Sequence, residues 1–303
     1  MDRRAGESQA QHVSMSKGTG ALDALLRHAV DYAGLFPPAA LAMSDAVRAY
    51  AMYREGPRAA LLGRFVVPAA RLAEFAEAAG PLLERGDPWP LSVLATPADR
   101  MALDTFESAM AGRAVIESVE GTAASADDVA AYVSPRRTFV EIPLEPDPAP
   151  LLDAIARHGL SAKVRTGGIT VDAFPTSAQV ARFIAACAQR EVPFKATAGL
   201  HHPLCGEYAL TYAHESPFGT MFGFLNVFVA SVLARGGMPA RDLAAVLEER
   251  AASAFQFDDD GITWRGRWTA APIVRVTRER LAMSFGSCSF AEPVDDLTTL
   301  GLL

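Results

Sequence analysis

Lysine is nearly missing from this chain: its 28 basic residues include only Lys17, Lys163 and Lys195 as lysines. Arginine therefore supplies the ordinary surface cations, and a lysine set inside an apolar run needs a separate reason. Cysteine is as sparse, with only Cys187, Cys205 and Cys288. An odd, scattered set without CxxC spacing argues against a disulfide framework or a zinc knuckle and for a reducing, cytoplasmic setting. No apolar run is long enough to span a bilayer. The longest, 221–234, also contains Asn226 and Ser231 and reads as a buried segment. The first 20 residues are polar, lack the apolar core of a signal peptide, and read as a disordered tail. Positive charge is in deficit, with 35 acidic residues, 28 basic ones and a formal net charge of −7. That excess speaks against nucleic acid and anionic membranes as partners and leaves a small molecule, with self-association open. There is no G-x-G-x-x-G after an early strand, no P-loop and no G-x-S-x-G, so dinucleotide, nucleotide-hydrolysis and serine-hydrolase readings lose their main signals.

What is present is a recurring βα pattern. Eight short apolar runs read as strands: VDYAGLF (30–36), GRFVVP (63–68), LSVLAT (91–96), RAVIES (113–118), TFVEIP (138–143), AKVRT (162–166), FKATA (194–198) and AFQFD (254–258). Most are continuously apolar, as parallel strands covered on both faces should be. Alanine-rich helical stretches separate them, one opened by a capping box of Thr176 and Gln179. Successive starts from the second to the seventh run lie roughly 22 to 32 residues apart, the length of a βα unit. Eight such units close into an α/β fold of the (β/α)8 TIM-barrel type. Residues 21–303 are expected to form that single domain, with an insertion around 206–253 and an irregular C-terminal extension. In the extension, GITWRGRW reads as a hairpin and IVRVT as a strand, while Asp258–Asp260 read as a turn before Gly261.

Lys163 and Lys195 fall on neighbouring predicted strands, which lie about 4.8 Å apart. Two inward lysines there would depress each other's pKa, and burial would depress both. The free amine that results is a nucleophile toward carbonyls, a role closed to arginine. Glu117 and Glu141, charged residues inside apolar runs, either pair with Lys163, Arg165 and Lys195 or serve as acid and base. The end of the sixth strand offers Arg165, Thr166, Gly167 and Gly168, whose guanidinium and main-chain N–H groups suit a substrate anion, or simply make a turn. His201 follows the seventh strand at the expected active-site end. Asp31 and Tyr32 sit either on the pocket floor or at a helix end.

The segments AKVRTGG and FKATAG, 32 residues apart from lysine to lysine, resemble the strand-six and strand-seven signatures of class I (Schiff-base) aldolases of the deoxyribose-phosphate aldolase type. The resemblance covers about residues 113–200. It implies an imine on Lys163, tuned by Lys195, with Glu117 in place of the family's acidic residue. It also implies carbon–carbon bond cleavage or formation, the chemistry of a lyase, with no cofactor. The family's glycine-rich phosphate loop is replaced here by Leu200-His201-His202-Pro203, which puts a phosphorylated substrate in doubt.

Two other readings stay open. His201, His202, His214 and Glu215 could together hold a divalent metal, and Glu117, Glu141 and Lys163 could support enolase-like proton abstraction. A catalytically silent barrel that binds a small ligand is the third. Cys288, with no base beside it in the chain, reads as a small buried residue.

Overall fold

The computed structural model describes residues 20–83 and 86–303. Seven parallel strands follow one another around a barrel: β1 (Val30–Tyr32), β2 (Leu62–Pro68), β3 (Trp89–Leu94), β4 (Ala114–Thr122), β5 (Thr138–Glu141), β6 (Ser161–Arg165) and β7 (Phe194–Thr197). A long excursion then leaves the barrel. It contains an antiparallel hairpin of β8 (Gly206–Ala209) and β9 (Phe218–Met221), the helices Phe224–Arg235 and Ala240–Leu247, and a three-stranded antiparallel sheet of β10 (Phe255–Phe257), β11 (Gly261–Trp264) and β12 (Arg267–Ala270). After the helix Ala271–Arg280 the chain returns as β13 (Ala282–Ser287), which pairs with both β7 and β1 and closes the ring. The fold is a (β/α)8 TIM-type barrel with an elaborated seventh connection. Among the described residues, no helix is long and apolar enough to cross a membrane.

Helices Met43–Glu55, Leu72–Ala79, Arg100–Ala109, Ala126–Ala131, Ala149–Arg157 and Ser177–Arg190 follow the first six strands in turn. Their starts are set locally. Ser125 with Asp128, and Thr176 with Gln179, form reciprocal caps that satisfy the first free N–H groups. The outward side chains of the strands and the apolar faces of these helices merge into one continuous core. Its aromatic part, Tyr32, Tyr50, Phe65, Phe75 and Trp89, lies outside β1–β3, with neighbouring ring centroids 5.0–6.2 Å apart. The apolar segment 221–234 forms most of the helix Phe224–Arg235, which is buried on all sides. Asn226 is the polar clip of that helix: it accepts from the Cys205 N–H and donates to the carbonyls of Val246 and Glu249.

The first seven predicted strands match barrel strands. The eighth does not, because AFQFD supplies β10 of the antiparallel sheet and the true closing strand is AMSFGS. IVRVT is helical, within Ala271–Arg280, where the preceding Pro272 sits in the first turn and Val274 and Thr277 are buried. Local β propensity yields there to packing against β13 and the helix Phe224–Arg235. The GITWRGRW hairpin is present as β11–β12. The expected N-terminal tail lies outside the described residues, apart from Gly20.

Candidate active site

In a barrel, every second residue of each strand points inward, and register decides which inward groups meet. Lys163 on β6 pairs in register with Glu141 on β5 and with Lys195 on β7, and Lys195 is level with Ser284 on β13. Four strands thus bring two ammonium groups and a carboxylate to one height. Asp31 from β1 and Glu120 from β4 complete the layer.

The result is a buried chain of alternating charge. Lys195 Nζ lies 2.6 Å from Asp31 Oδ2 and 2.6 Å from Glu120 Oε1. Lys163 Nζ lies 2.9 Å from the other oxygen of Glu120 and 3.1 Å from Glu141 Oε2. Arg165 Nε continues the chain, 2.9 Å from Glu141 Oε1. Neutral donors fill the remaining positions. Ser92 Oγ donates to Glu120 at 2.6 Å, Ser284 Oγ to Asp31 at 2.7 Å, and the Arg64 N–H to Asp31 at 2.9 Å. Gly63 makes the last contact feasible, since a Cβ there would stand 2.5 Å from Asp31 Oδ1.

Burial alone would raise both carboxyl pKa values, yet the neighbouring cations outweigh it. Lys195 and Arg64 hold Asp31 below its ordinary value, and Lys195 and Lys163 hold Glu120 far below its own. Burial would likewise lower Lys163, but Glu120 and Glu141 prevail and its pKa rises. The sequence-based expectation of mutually depressed lysine pKa values thus does not hold for Lys163, because a carboxylate stands between the two amines.

This layer forms the floor of a pocket of about 390 Å3 at the C-terminal end of the barrel strands, the end where barrel enzymes carry their sites. Glu120, Lys163 and Lys195 are exposed to it. Phe36, Pro37, Pro38, Val66, Leu94 and Ile169 form an apolar wall, and Arg165, Gly167, Gly168 and His201 lie around the mouth. Gly167 is closely covered, as a Cβ there would stand 2.4 Å from the Phe174 ring. Thr166 does not face the pocket: it is buried, and its hydroxyl donates to the carbonyls of Ala198 and Thr197. Those bonds hold Ala198 in the left-handed region at φ 62°, an uncommon conformation for a residue with a side chain.

A second polar cluster lies on the rim. His201 Nδ1 is 3.0 Å from Glu292 Oε2 and 3.9 Å from Cys288 Sγ, and Tyr212 Oη donates to the same Glu292 oxygen at 3.0 Å. Burial disfavours the His201 imidazolium, but hydrogen bonds to Cys288 and Glu292 more than compensate and push its pKa up to about 9.

The fold does not bring Glu117 to the lysines. It stands three residues before Glu120, where its carboxylate pairs with Arg64 Nε at 3.0 Å beside a cavity at the other end of the barrel. A register shift of β4 against β3 falls at Glu117, and the strand beyond it carries Glu120, not Glu117, to the level of the lysines. The alternative metal set does not assemble either. His201 faces Glu292, His202 faces Asp296 at 2.6 Å and stacks on Tyr208, and His214 and Glu215 are exposed between β8 and β9. Among the described residues, no three His, Cys, Asp or Glu groups stand close enough to hold a metal ion.

Glu120 is the main residue that sequence reading missed. The fourth predicted strand stops at residue 118, whereas β4 runs to Thr122, and a glutamate two residues beyond an apolar run looks like a loop residue. Comparison of the chain with family models, with curated proteins and with solved structures finds no match in any of the three.

Proposed function

We propose that this protein is a Schiff-base enzyme of the aldolase or lyase type, which makes or breaks a carbon–carbon bond next to the carbonyl of a small substrate through an imine on Lys163. The observation that carries this reading is the pair of lysines on the pocket floor joined through one carboxylate, Glu120. Their inequality assigns the roles. Lys195 is clamped at 2.6 Å between two buried carboxylates and is 1% exposed, which leaves it no room to meet a substrate. Lys163 is held at 2.9 and 3.1 Å and is 6% exposed, which makes it the amine that can reach a carbonyl carbon.

Because Lys163 rests as an ammonium, it must lose a proton before it can add to a carbonyl. The amine then adds to the carbonyl carbon and water leaves, forming the imine. Its positive nitrogen stabilises the electron pair released when the adjacent carbon–carbon bond breaks. Glu120, bridging both lysines, is placed to pass protons between Lys195 and the reacting carbon. The acidic role that the aldolase resemblance put on Glu117 thus passes to Glu120. The neutralised cations and the apolar wall suit a small carbonyl compound better than a phosphate ester.

Borohydride trapping tests the assignment. The protein is incubated with a panel of small aldehydes and ketones, reduced, and read by intact mass and peptide mapping. The expected result is a stable adduct on Lys163 that disappears in Lys163→Arg, while Lys195→Arg retains Lys163 as the only attachment point. No adduct with any member of the panel, or an adduct on Lys195, would defeat the reading.

A further inference from the structure

In sequence Cys288 has no histidine beside it, but the fold supplies one. Its sulfur lines the same pocket as the lysines, on the rim beyond β13. The His201 imidazole, from the loop after β7, lies 3.9 Å from it, and the Glu292 carboxylate, from the helix Ala291–Thr299, holds that ring at 3.0 Å. Tyr212, from the turn between β8 and β9, donates to Glu292 and lies 3.6 Å from the sulfur. Thiol and carboxylate thus come from one short stretch after β13, the imidazole from the loop after β7, and a third part, at Tyr212, steadies the carboxylate. Both contacts fall on one nitrogen, Nδ1, so His201, with its pKa pushed up to about 9, meets the thiol as a protonated ring held by Glu292, the kind of cationic neighbour that activates thiols in covalent catalysis. The other two cysteines have no such company: Cys187 is buried in the helix Ser177–Arg190, and the Cys205 backbone is bound to Asn226.

We propose that Cys288 is a second nucleophile of this pocket, with His201 as its proton carrier and Glu292 as the group that positions His201, and that it captures small aldehydes reversibly as hemithioacetals. In that step a sulfur–carbon bond forms while the carbonyl π pair moves to oxygen. The protonated His201 gives a proton to that oxygen and the thiol proton replaces it on the ring, so the addition is neutral overall, needs no co-reactant and reverses along the same path. The preference for an aldehyde follows from the pocket. Its nearest cations, Lys163, Lys195, Arg165 and His201, each face a carboxylate within 3.1 Å, and the wall between them is apolar. The inference does not depend on an imine at Lys163.

The test is site-resolved alkylation of the folded full chain with iodoacetamide, with Cys187 and Cys205 as internal controls and propanal as the carbonyl probe. Cys288 should react at least roughly tenfold faster than either control, and His201→Gln should slow it by about tenfold or more. Glu292→Gln, which preserves side-chain shape, should slow Cys288 less, since it acts through His201. If His201→Gln does not fold, an unchanged Cys288 rate in Glu292→Gln counts against the proposal. Propanal should protect Cys288, with full recovery after dialysis, and should protect it equally in Lys163→Met, where no imine can form at that position. Protection lost in Lys163→Met would mean that a lysine-bound aldehyde merely shields the thiol, overturning the capture step while supporting the lysine reading. Cys288 reacting no faster than Cys187, or at the same rate in a folded His201→Gln, would overturn the proposal outright.

Discussion

The two lysines of the core differ in what they hold together. Lys195 neutralises Asp31 and Glu120, both buried and both hydrogen-bonded to it. Its replacement by methionine leaves two carboxylates with too little positive charge, and removal of one partner of a buried ion pair typically costs about 3–5 kcal/mol. Lys195→Met is therefore expected to lower urea-unfolding stability by an amount of that order, and a loss below about 1 kcal/mol would contradict the description of the cluster. Acid should act on the same groups. Asp31 and Glu120 are held below their ordinary values of 3.8 and 4.5, so the unfolded chain takes up their protons at a higher pH than the folded one. Their stabilisation is fully present above that ordinary range and is lost as pH falls below it toward the depressed folded-state values. Denaturation followed from pH 6 downward should show a steep loss beginning near pH 4 to 5, with a shallower slope in Glu120→Gln, roughly as the linkage relation requires.

At the scale of elements, the elaborated seventh connection depends on Asn226. This residue joins the loop at Cys205 to the end of the helix Ala240–Leu247 from within an otherwise apolar helix. Asn226→Leu keeps the volume but takes the partner from the Cys205 N–H and the Glu249 carbonyl, while the Val246 carbonyl keeps its bond from the Glu249 N–H, at a cost of roughly 1–3 kcal/mol for each group left unpaired. The expected outcome is a loss of a few kcal/mol, with faster amide exchange at Cys205 and neighbouring residues than at β3 or β6. Uniform acceleration across the barrel would instead mean that the connection and the barrel unfold as one unit.

For the molecule as a whole, the contact between the loop after β7 and the final helix joins the end of the chain to the pocket rim. His201 meets Glu292, and one helical turn further on His202 meets Asp296. The folded state raises the His201 pKa from 6.5 to about 9. That contribution to stability is complete below 6.5 and is lost as pH rises through about 9. Thermal melting from pH 6 to pH 10 should therefore show a Tm decline in the wild type that is smaller in Glu292→Gln. An identical decline in both proteins would remove His201 as its source.

The sequence by itself determined the barrel class, because seven of its strands are buried on both faces and so appear as apolar runs at βα spacing. It also singled out Lys163 and Lys195, since a chain that otherwise uses arginine exposes its exceptions. Only the tertiary structure decided the rest. The closing strand escaped periodicity because its inward residues are small and serve the site: Ser284 binds Asp31, and Gly286 lines the pocket. Which glutamate meets the lysines depends on height along β4 and on a register shift at Glu117, so Glu120 reaches the lysine layer while Glu117 pairs with Arg64 at the other end of the barrel. Local sequence cannot bring His201 to Cys288 and Glu292, because that meeting depends on the barrel closing between β7 and β13. Lysine chemistry left a compositional trace, while partners separated by about ninety residues become neighbours only when the ring is complete.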